Sequence, residues 1–261
     1  AVGHTALTGN TTGHSNCAVG VDALDSNTEG SENTAVGRNA LEGNTTANNN
    51  TAVGFGALKV NNAGGNTAVG HQALQANTSG SGNIALGKNS LLSNTTGAQN
   101  VAIGQNALDA NVGANDNVAI GHEALGANTS GTRNVAVGAN ALDAITTGTN
   151  CTAVGMDALT ANTASSNTAV GTKAADANTE GVHIVAIGEH TLGANTTGDR
   201  NTAVGNVALG ANTTANDNTA VGFAALENST TATNNTAVGR DAMEDTTTGS
   251  NNAALGTFAL E

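Results

Sequence analysis

The sequence predicts an all-β protein, a parallel β-solenoid (β-roll) of about 16 coils. Three observations lead there: a repeat that runs from end to end, a composition too poor in large side chains for a broad core, and turn chemistry that fits neither helices nor hairpins. The tripeptide Ala-Val/Ile/Leu-Gly ends at sixteen glycines, from Gly3, Gly20 and Gly37 through to Gly239 and Gly256. The spacing is 17 residues, shortened to 16 only at Gly54→Gly70 and Gly155→Gly171. The consensus reads Asn-Thr-Ala-Val-Gly-x-x-Ala-Leu-x-x-Asn-Thr-Thr-Gly-x-x. No shift in composition interrupts it, so residues 1–261 read as a single repeat array.

Seventeen residues are too few for the paired helices of an α-solenoid, whose periods run about 33 to 47. Gly, Asn and Thr also disfavour helix interiors, and apolar residues do not recur at helical spacing. An antiparallel meander would call for Asn-Gly or Asp-Gly at its two-residue turns, and neither dipeptide occurs in the chain. Parallel coiling remains. In a solenoid each coil lies about 4.8 Å above the last, so a consensus position stacks on itself, and sixteen coils would make a rod of roughly 75 Å.

The columns then assign themselves. Leu24, Leu41, Leu58, Leu74, Leu108 and Leu125 belong to a leucine ladder, interrupted only by Ala175 and Met243. Val36, Val53, Ile103 and Ile120 belong to a second ladder, the residue before each corner glycine. Both are expected to form the core. In a strand Thr-Ala-Val, alternation puts Thr and Val on one face and Ala on the other. The Thr slot also holds Cys17, Ile84, Val101, Val118, Val135 and Val185, so the Thr/Val face is expected inside. The strand Ala would then face either a neighbouring chain, in a lateral homo-oligomer, or a tight interior corner. Glycine, which alone adopts φ > 0 without steric cost, is expected to mark corners at Ala-Val-Gly and at Asn-Thr-Thr-Gly.

Two asparagine columns accompany the apolar ones. Asn33, Asn50, Asn83 and Asn100 stand before the strand, and Asn44, Asn94 and Asn128 follow the leucine. Stacked amides can bond to each other and to corner backbone. Structural ladders are the expected role; the other reading is a flat Asn/Thr face that recognises ice or a polysaccharide. Asn-Thr-Thr also matches the glycan acceptor pattern at Asn10, Asn44, Asn94, Asn195 and Asn212, which the repeat generates by default.

Variable residues gather at the two positions after the corner glycine and at the position after Ala-Leu, which are read as exposed. The chain carries 20 Asp+Glu against 7 Lys+Arg, a formal charge of -13. It therefore lacks the basic footprint that nucleic-acid binding requires. No apolar run approaches the roughly 20 residues that span a bilayer. Stacked carboxylate pairs such as Asp25/Glu42 and Glu227/Glu244 fall short of the six to eight oxygens of a calcium site. His4, His14, His71, His122, His183 and His190 sit at different turns with no zinc-ligand spacing. No catalytic constellation breaks the repeat, so the sequence predicts neither enzyme activity, nor a metal, nor a cofactor. Cys17 and Cys151 occupy different slots about eight coils apart, too far to form an intrachain disulfide.

The units Asn33-Thr34-Ala35-Val36-Gly37 with Ala40-Leu41, and Asn94-Thr95-Thr96-Gly97, resemble the repeat-rich segments of phage-type tail-fibre proteins and related bacterial surface proteins. More distantly, they are similar to the heads of trimeric autotransporter adhesins, whose coils carry an Ala-Ile/Val-Gly signature at a shorter period. The resemblance covers essentially the whole chain. It implies a parallel β-roll, usually three chains side by side, displayed outside the cell, on the cell surface or on a virion. The expected function is an extracellular structural or adhesive fibre segment. Its expected partners are further copies of itself, as a homo-oligomer or filament, together with a host surface or glycan. Ala1-Val2-Gly3 and Ala259-Leu260-Glu261 each fall inside a unit, so coils are expected to continue in a longer polypeptide or by end-to-end stacking.

Overall fold

The computed structural model describes residues 1–261. Its fifteen parallel strands wind as a β-solenoid, one turn per repeat of about 17 residues. The residues form two compact units, Ala1–Arg133 and Asn134–Glu261, built from the same turn. The first holds β1 (Cys17–Val19), β2 (Thr34–Val36), β3 (Thr51–Val53), β4 (Thr67–Val69), β5 (Ile84–Leu86), β6 (Val101–Ile103) and β7 (Val118–Ile120). The second holds β8 (Val135–Val137), β9 (Thr152–Val154), β10 (Thr168–Val170), β11 (Val185–Ile187), β12 (Thr202–Val204), β13 (Thr219–Val221), β14 (Thr236–Val238) and β15 (Ala253–Leu255). The first of the sixteen copies contributes only a bridge, Val2 to Val19.

Within each unit the strands pair in chain order and in register. Thr34 lies beside Thr51, Ala35 beside Ala52 and Val36 beside Val53. The 16-residue turns keep that register, with Thr51 beside Thr67 and Thr152 beside Thr168. The missing residue is therefore absorbed at the far corner and not in the sheet.

The strands are only three residues long, and most of the stacking is done elsewhere around the turn. The Leu41 amide donates to the Ala57 carbonyl of the next turn (3.1 Å), and the Asn39 amide to the Val21 carbonyl of the previous one (2.9 Å). Likewise Thr28 N–H donates to the Thr45 carbonyl (2.9 Å). The backbone polar groups of a turn thus find partners above and below, as buried peptide groups must.

Glycine is confined to one corner by two constraints at once. At Gly87 φ is +131°, and a β-carbon there would lie 2.5 Å from the carbonyl oxygen of Gly104 on the next turn. The second consensus glycine does not have this geometry. Its slot admits Ala47 and Ala114, and the left-handed backbone falls instead on non-glycine residues. Asn39 (φ 60°), Leu41 (φ 52°) and Asn49 (φ 61°) represent three such positions per turn. A left-handed leucine costs about 1–2 kcal/mol. Full burial of the side chain and a bonded amide and carbonyl at each leucine offset that cost, as at Leu41, whose carbonyl accepts from the Asn44 amide (3.1 Å).

The interior reverses one expectation. Leu24, Leu41, Leu58, Leu74, Leu108 and Leu125 are fully buried. The strand alanines Ala35, Ala52, Ala68 and Ala102 are fully buried too, together with the second alanines Ala40, Ala57, Ala73 and Ala107. Val36, Val53, Ile103 and Ile120 are not core: Val36 and Ile120 are 36% exposed, Ile103 is 37% exposed, and Val53 is half-buried. The alternation holds, but with alanine on the inner face and Thr and Val on the outer one. The turn is so narrow that once leucine fills it, only a methyl group fits on the inner side of the strand, so Thr and Val point outward. The expected lateral contact through the alanine face is excluded by the same fact.

Replacing Gly87 with Ala is expected to destabilise the first unit by at least about 1–3 kcal/mol, the cost of a strained backbone position, with the clash added. Chemical denaturation followed by circular dichroism reads this directly. Ile103→Thr, on the outer face, is expected to change stability by less than about 0.5 kcal/mol.

Candidate functional surfaces

Both asparagine ladders lie inside the turn and are consumed by structure. In the ladder after the leucine, each amide nitrogen reaches the amide oxygen of the turn before. Asn44 Nδ2 donates to Asn27 Oδ1 (2.9 Å), Asn94 Nδ2 to Asn77 Oδ1 (3.0 Å) and Asn128 Nδ2 to Asn111 Oδ1 (3.3 Å). The same nitrogens also donate to a corner carbonyl three residues on, as Asn94 does to Gly97 (3.0 Å). In the ladder before the strand, the side-chain oxygen accepts the backbone N–H of its successor. Asn50 N–H donates to Asn33 Oδ1 and Asn100 N–H to Asn83 Oδ1, both at 3.0 Å. Asn33 Nδ2 and Asn83 Nδ2 then donate to the corner carbonyls of Ala47 and Gly97 on the following turn (2.8 Å each). All seven of these predicted ladder residues, Asn33, Asn50, Asn83, Asn100, Asn44, Asn94 and Asn128, are buried.

Two consequences follow. The ladder asparagines are buried and add nothing to a solvent-facing Asn/Thr plane. The Asn-Thr-Thr acceptor positions Asn44, Asn94, Asn195 and Asn212 are also fully buried, closed to a glycan in the folded chain.

The shortened turns explain an otherwise odd cysteine. The turn after Asn50 lacks the residue that would bring a corner carbonyl to it, and Asn50 Nδ2 is left without a partner. Asn61, on that turn, donates instead to the Ala63 carbonyl (2.7 Å), which leaves Asn44 Oδ1 unbonded as well. The second shortened turn follows Cys151, which stands where the ladder would carry asparagine. There Sγ lies 3.3 Å from the Ala164 carbonyl, and the backbone amide still donates to Asn134 Oδ1 (3.0 Å). Cysteine avoids the orphaned amide. Burial pushes the Cys151 thiol above its ordinary range, the backbone and Asn162 hydrogen bonds pulling the other way, whereas Cys17 is exposed on the outer strand face.

The outer sheet face is uncharged throughout. Every strand presents Thr, Val, Ile, Cys or Ala at its first residue and Val, Ile or Leu at its third. Ile84, Leu86, Ile103 and Ile120 are among the large apolar side chains left at the surface. Sequence reasoning saw these columns but placed them inside. The signal that could have found them was the invariance of the alanine, the only one of the three strand residues that never grows.

The slot after the corner glycine carries most of the remaining chemistry. In the first unit Arg38, Phe55, His71 and Lys88 occupy it on successive turns, all exposed. The rings of Phe55 and His71 stack at 5.2 Å and 18°, and the Arg38 guanidinium lies 6.0 Å from the Phe55 centroid. In the second unit Arg240 sits between Phe223 (5.6 Å) and Phe258 (5.8 Å), but its Nε also donates to Asp241 (2.8 Å). Glu244 belongs to that same acidic stretch. Desolvation first, then Asp241, Asp245, Glu227 and Glu261, raise its carboxyl above the ordinary value. One turn-to-turn ion pair has bidentate geometry: Arg200 Nε and Nη2 donate to Asp217 Oδ1 (2.7 Å) and Oδ2 (3.0 Å). That hydrogen-bonded contact lowers the Asp217 carboxyl and raises the guanidinium.

All six histidines are exposed, and the structure brings none of them into a catalytic or metal-binding set. His190 lines an open groove of about 430 Å³ with Asp176 and Glu227, made where Gly193 and Gly210 leave out side chains. No group of three or more His, Cys, Asp or Glu stands close enough to hold a metal ion. No helix is long and apolar enough to cross a membrane. No protein-family model matches the chain, and neither a curated protein nor a solved structure is significantly similar to it.

Cys151→Asn is expected to restore the orphaned amide and cost about 1–3 kcal/mol, while Asn50→Cys raises the denaturation midpoint. With a thiol reagent at mildly alkaline pH, Cys17 is expected to react at once and Cys151 only on unfolding.

Proposed function

We propose that the chain is a non-catalytic structural or adhesive fibre segment that self-associates side by side through the outer sheet face and is displayed outside the cell or on a virion. The observation that carries this reading is the uncharged outer face, Val, Ile or Leu at the third residue of every strand beside Thr or a small or aliphatic side chain at the first, in a chain whose formal charge is -13. Contiguous apolar patches of this kind mark interaction surfaces. Two chains of strong like charge can approach where neither presents a charge, and an in-register ladder meets an identical ladder without loss of register. The extracellular setting rests on the resemblance to tail-fibre and adhesin repeats.

The same residues give the reading its test. In sedimentation and electron microscopy the chain is expected as bundles wider than one turn. The pair Ile103→Lys and Ile120→Lys, on an exposed face, is expected to disperse the bundles while the thermal midpoint of the isolated chain stays nearly unchanged. A monodisperse 25.2 kDa monomer of the unaltered chain, at concentrations where such fibres assemble, would sink the proposal.

A further inference from the structure

We propose that the row Arg38–Phe55–His71–Lys88 binds an acidic polysaccharide along the solenoid axis. The inference deepens the adhesive half of the proposed function and rests on it.

Charge marks the place first. Between Gly43 and Leu108 the chain contains no Asp or Glu, although it carries 20 of them in all. Within that stretch lie Lys59, His71 and Lys88, and Arg38 stands just before it. Around Arg38, Glu42 is paired with Lys59 Nζ (3.6 Å) and bonded by Asn39 Nδ2 (2.6 Å), and the other carboxylates, Asp22, Asp25, Glu29 and Glu32, lie on the preceding turn outside the row. Neither Arg38 nor Lys88 is in an ion pair. An otherwise acidic molecule thus presents two unpaired cations, Arg38 and Lys88, at the ends of a row that holds no carboxylate.

Ring geometry sets the kind of anion. The Arg38 guanidinium lies 6.0 Å from the Phe55 centroid and the His71 ring stacks on Phe55, so the two rings cover one face of each other and turn their edges outward along the row. An aromatic edge carries the positive side of the ring quadrupole, and His71 adds a ring N–H donor. The guanidinium fork can hold a carboxylate bidentately, and Lys88 is a second point charge. Arg38 to Lys88 spans three inter-turn steps, about 14 Å at the inter-strand spacing, a row matched to an extended polymer with separated anionic groups. Single-stranded nucleic acid fits poorly, because its closely spaced phosphates call for more neutralising cations than the row supplies. The corresponding slot of the second unit supplies a contrast, because Arg240 between Phe223 and Phe258 is already bonded to Asp241.

The slot itself provides variants that keep the fold, since it holds Gln105 and Glu189 on other turns. Calorimetry or affinity retention at low salt would use the whole chain with a hyaluronate oligosaccharide, a neutral N-acetylglucosamine oligomer and a single-stranded oligonucleotide. The hyaluronate is expected to bind with affinity falling as salt rises, and the neutral oligomer to be ignored. Arg38→Glu with Lys88→Glu is expected to abolish binding, Phe55→Gln with His71→Gln to weaken it about tenfold, and Lys173→Glu, away from the row, to leave it unchanged. Absence of hyaluronate binding, equal retention of the neutral oligomer or the oligonucleotide, or an Arg38/Lys88 variant that binds as well as the unaltered chain would each overturn the inference. Sedimentation of the same variants separates the two proposals. Bundles without hyaluronate binding end this inference alone, and hyaluronate binding by a lone monomer ends the side-by-side reading alone.

Discussion

Each turn of this protein satisfies most of its buried polar groups through the turns next to it, and the rest of the structure depends on that constraint. A parallel strand of three residues cannot supply enough hydrogen bonds to hold a chain together. The turn compensates by bonding along most of its circumference, through strand, leucine amide, corner carbonyl and buried asparagine. Because each bond recurs between equivalent positions one repeat later, chemistry that works once works at nearly every turn. A polar side chain in the interior, ordinarily a liability, becomes a connector when its twin lies within reach.

The narrow interior follows from this arrangement. Two amide ladders and one leucine occupy most of the cross-section, and the wall opposite has room for a methyl group. That single restriction fixes which face of the strand is inside and sends the β-branched residues out to solvent. It also accounts for the scarcity of aromatic side chains: three Phe in 261 residues, with Phe55, Phe223 and Phe258 all exposed.

Much of this was legible in the sequence. The period gave parallel coiling, the leucine column gave part of the core, and the corner glycine gave its positive φ. The strand faces were not legible, because Val and Ile at regular spacing are normally the buried residues and Ala is ambiguous between a crowded interior and a contact. Nor was the left-handed leucine, since its backbone is imposed by stacking on the next turn and opposes the residue's own preference. Cys151 was visible only as a replacement in a column; its reason lay in a carbonyl that the shortened turn removes. The row from Arg38 to Lys88 was dispersed over four repeats, and only the observed stacking of Phe55 on His71 joined it into one surface.

The unbonded Asn44 Oδ1 and Asn50 Nδ2 give the first unit an uneven strength. If a fibre of such turns is pulled along its axis, every junction between turns carries the same tension, so the weakest one parts first. In the first unit the shortened turn between Gly54 and Gly70 is where the ladders skip their bonds. Its backbone ladder is kept, so the deficit is confined to the side-chain amides of that one junction.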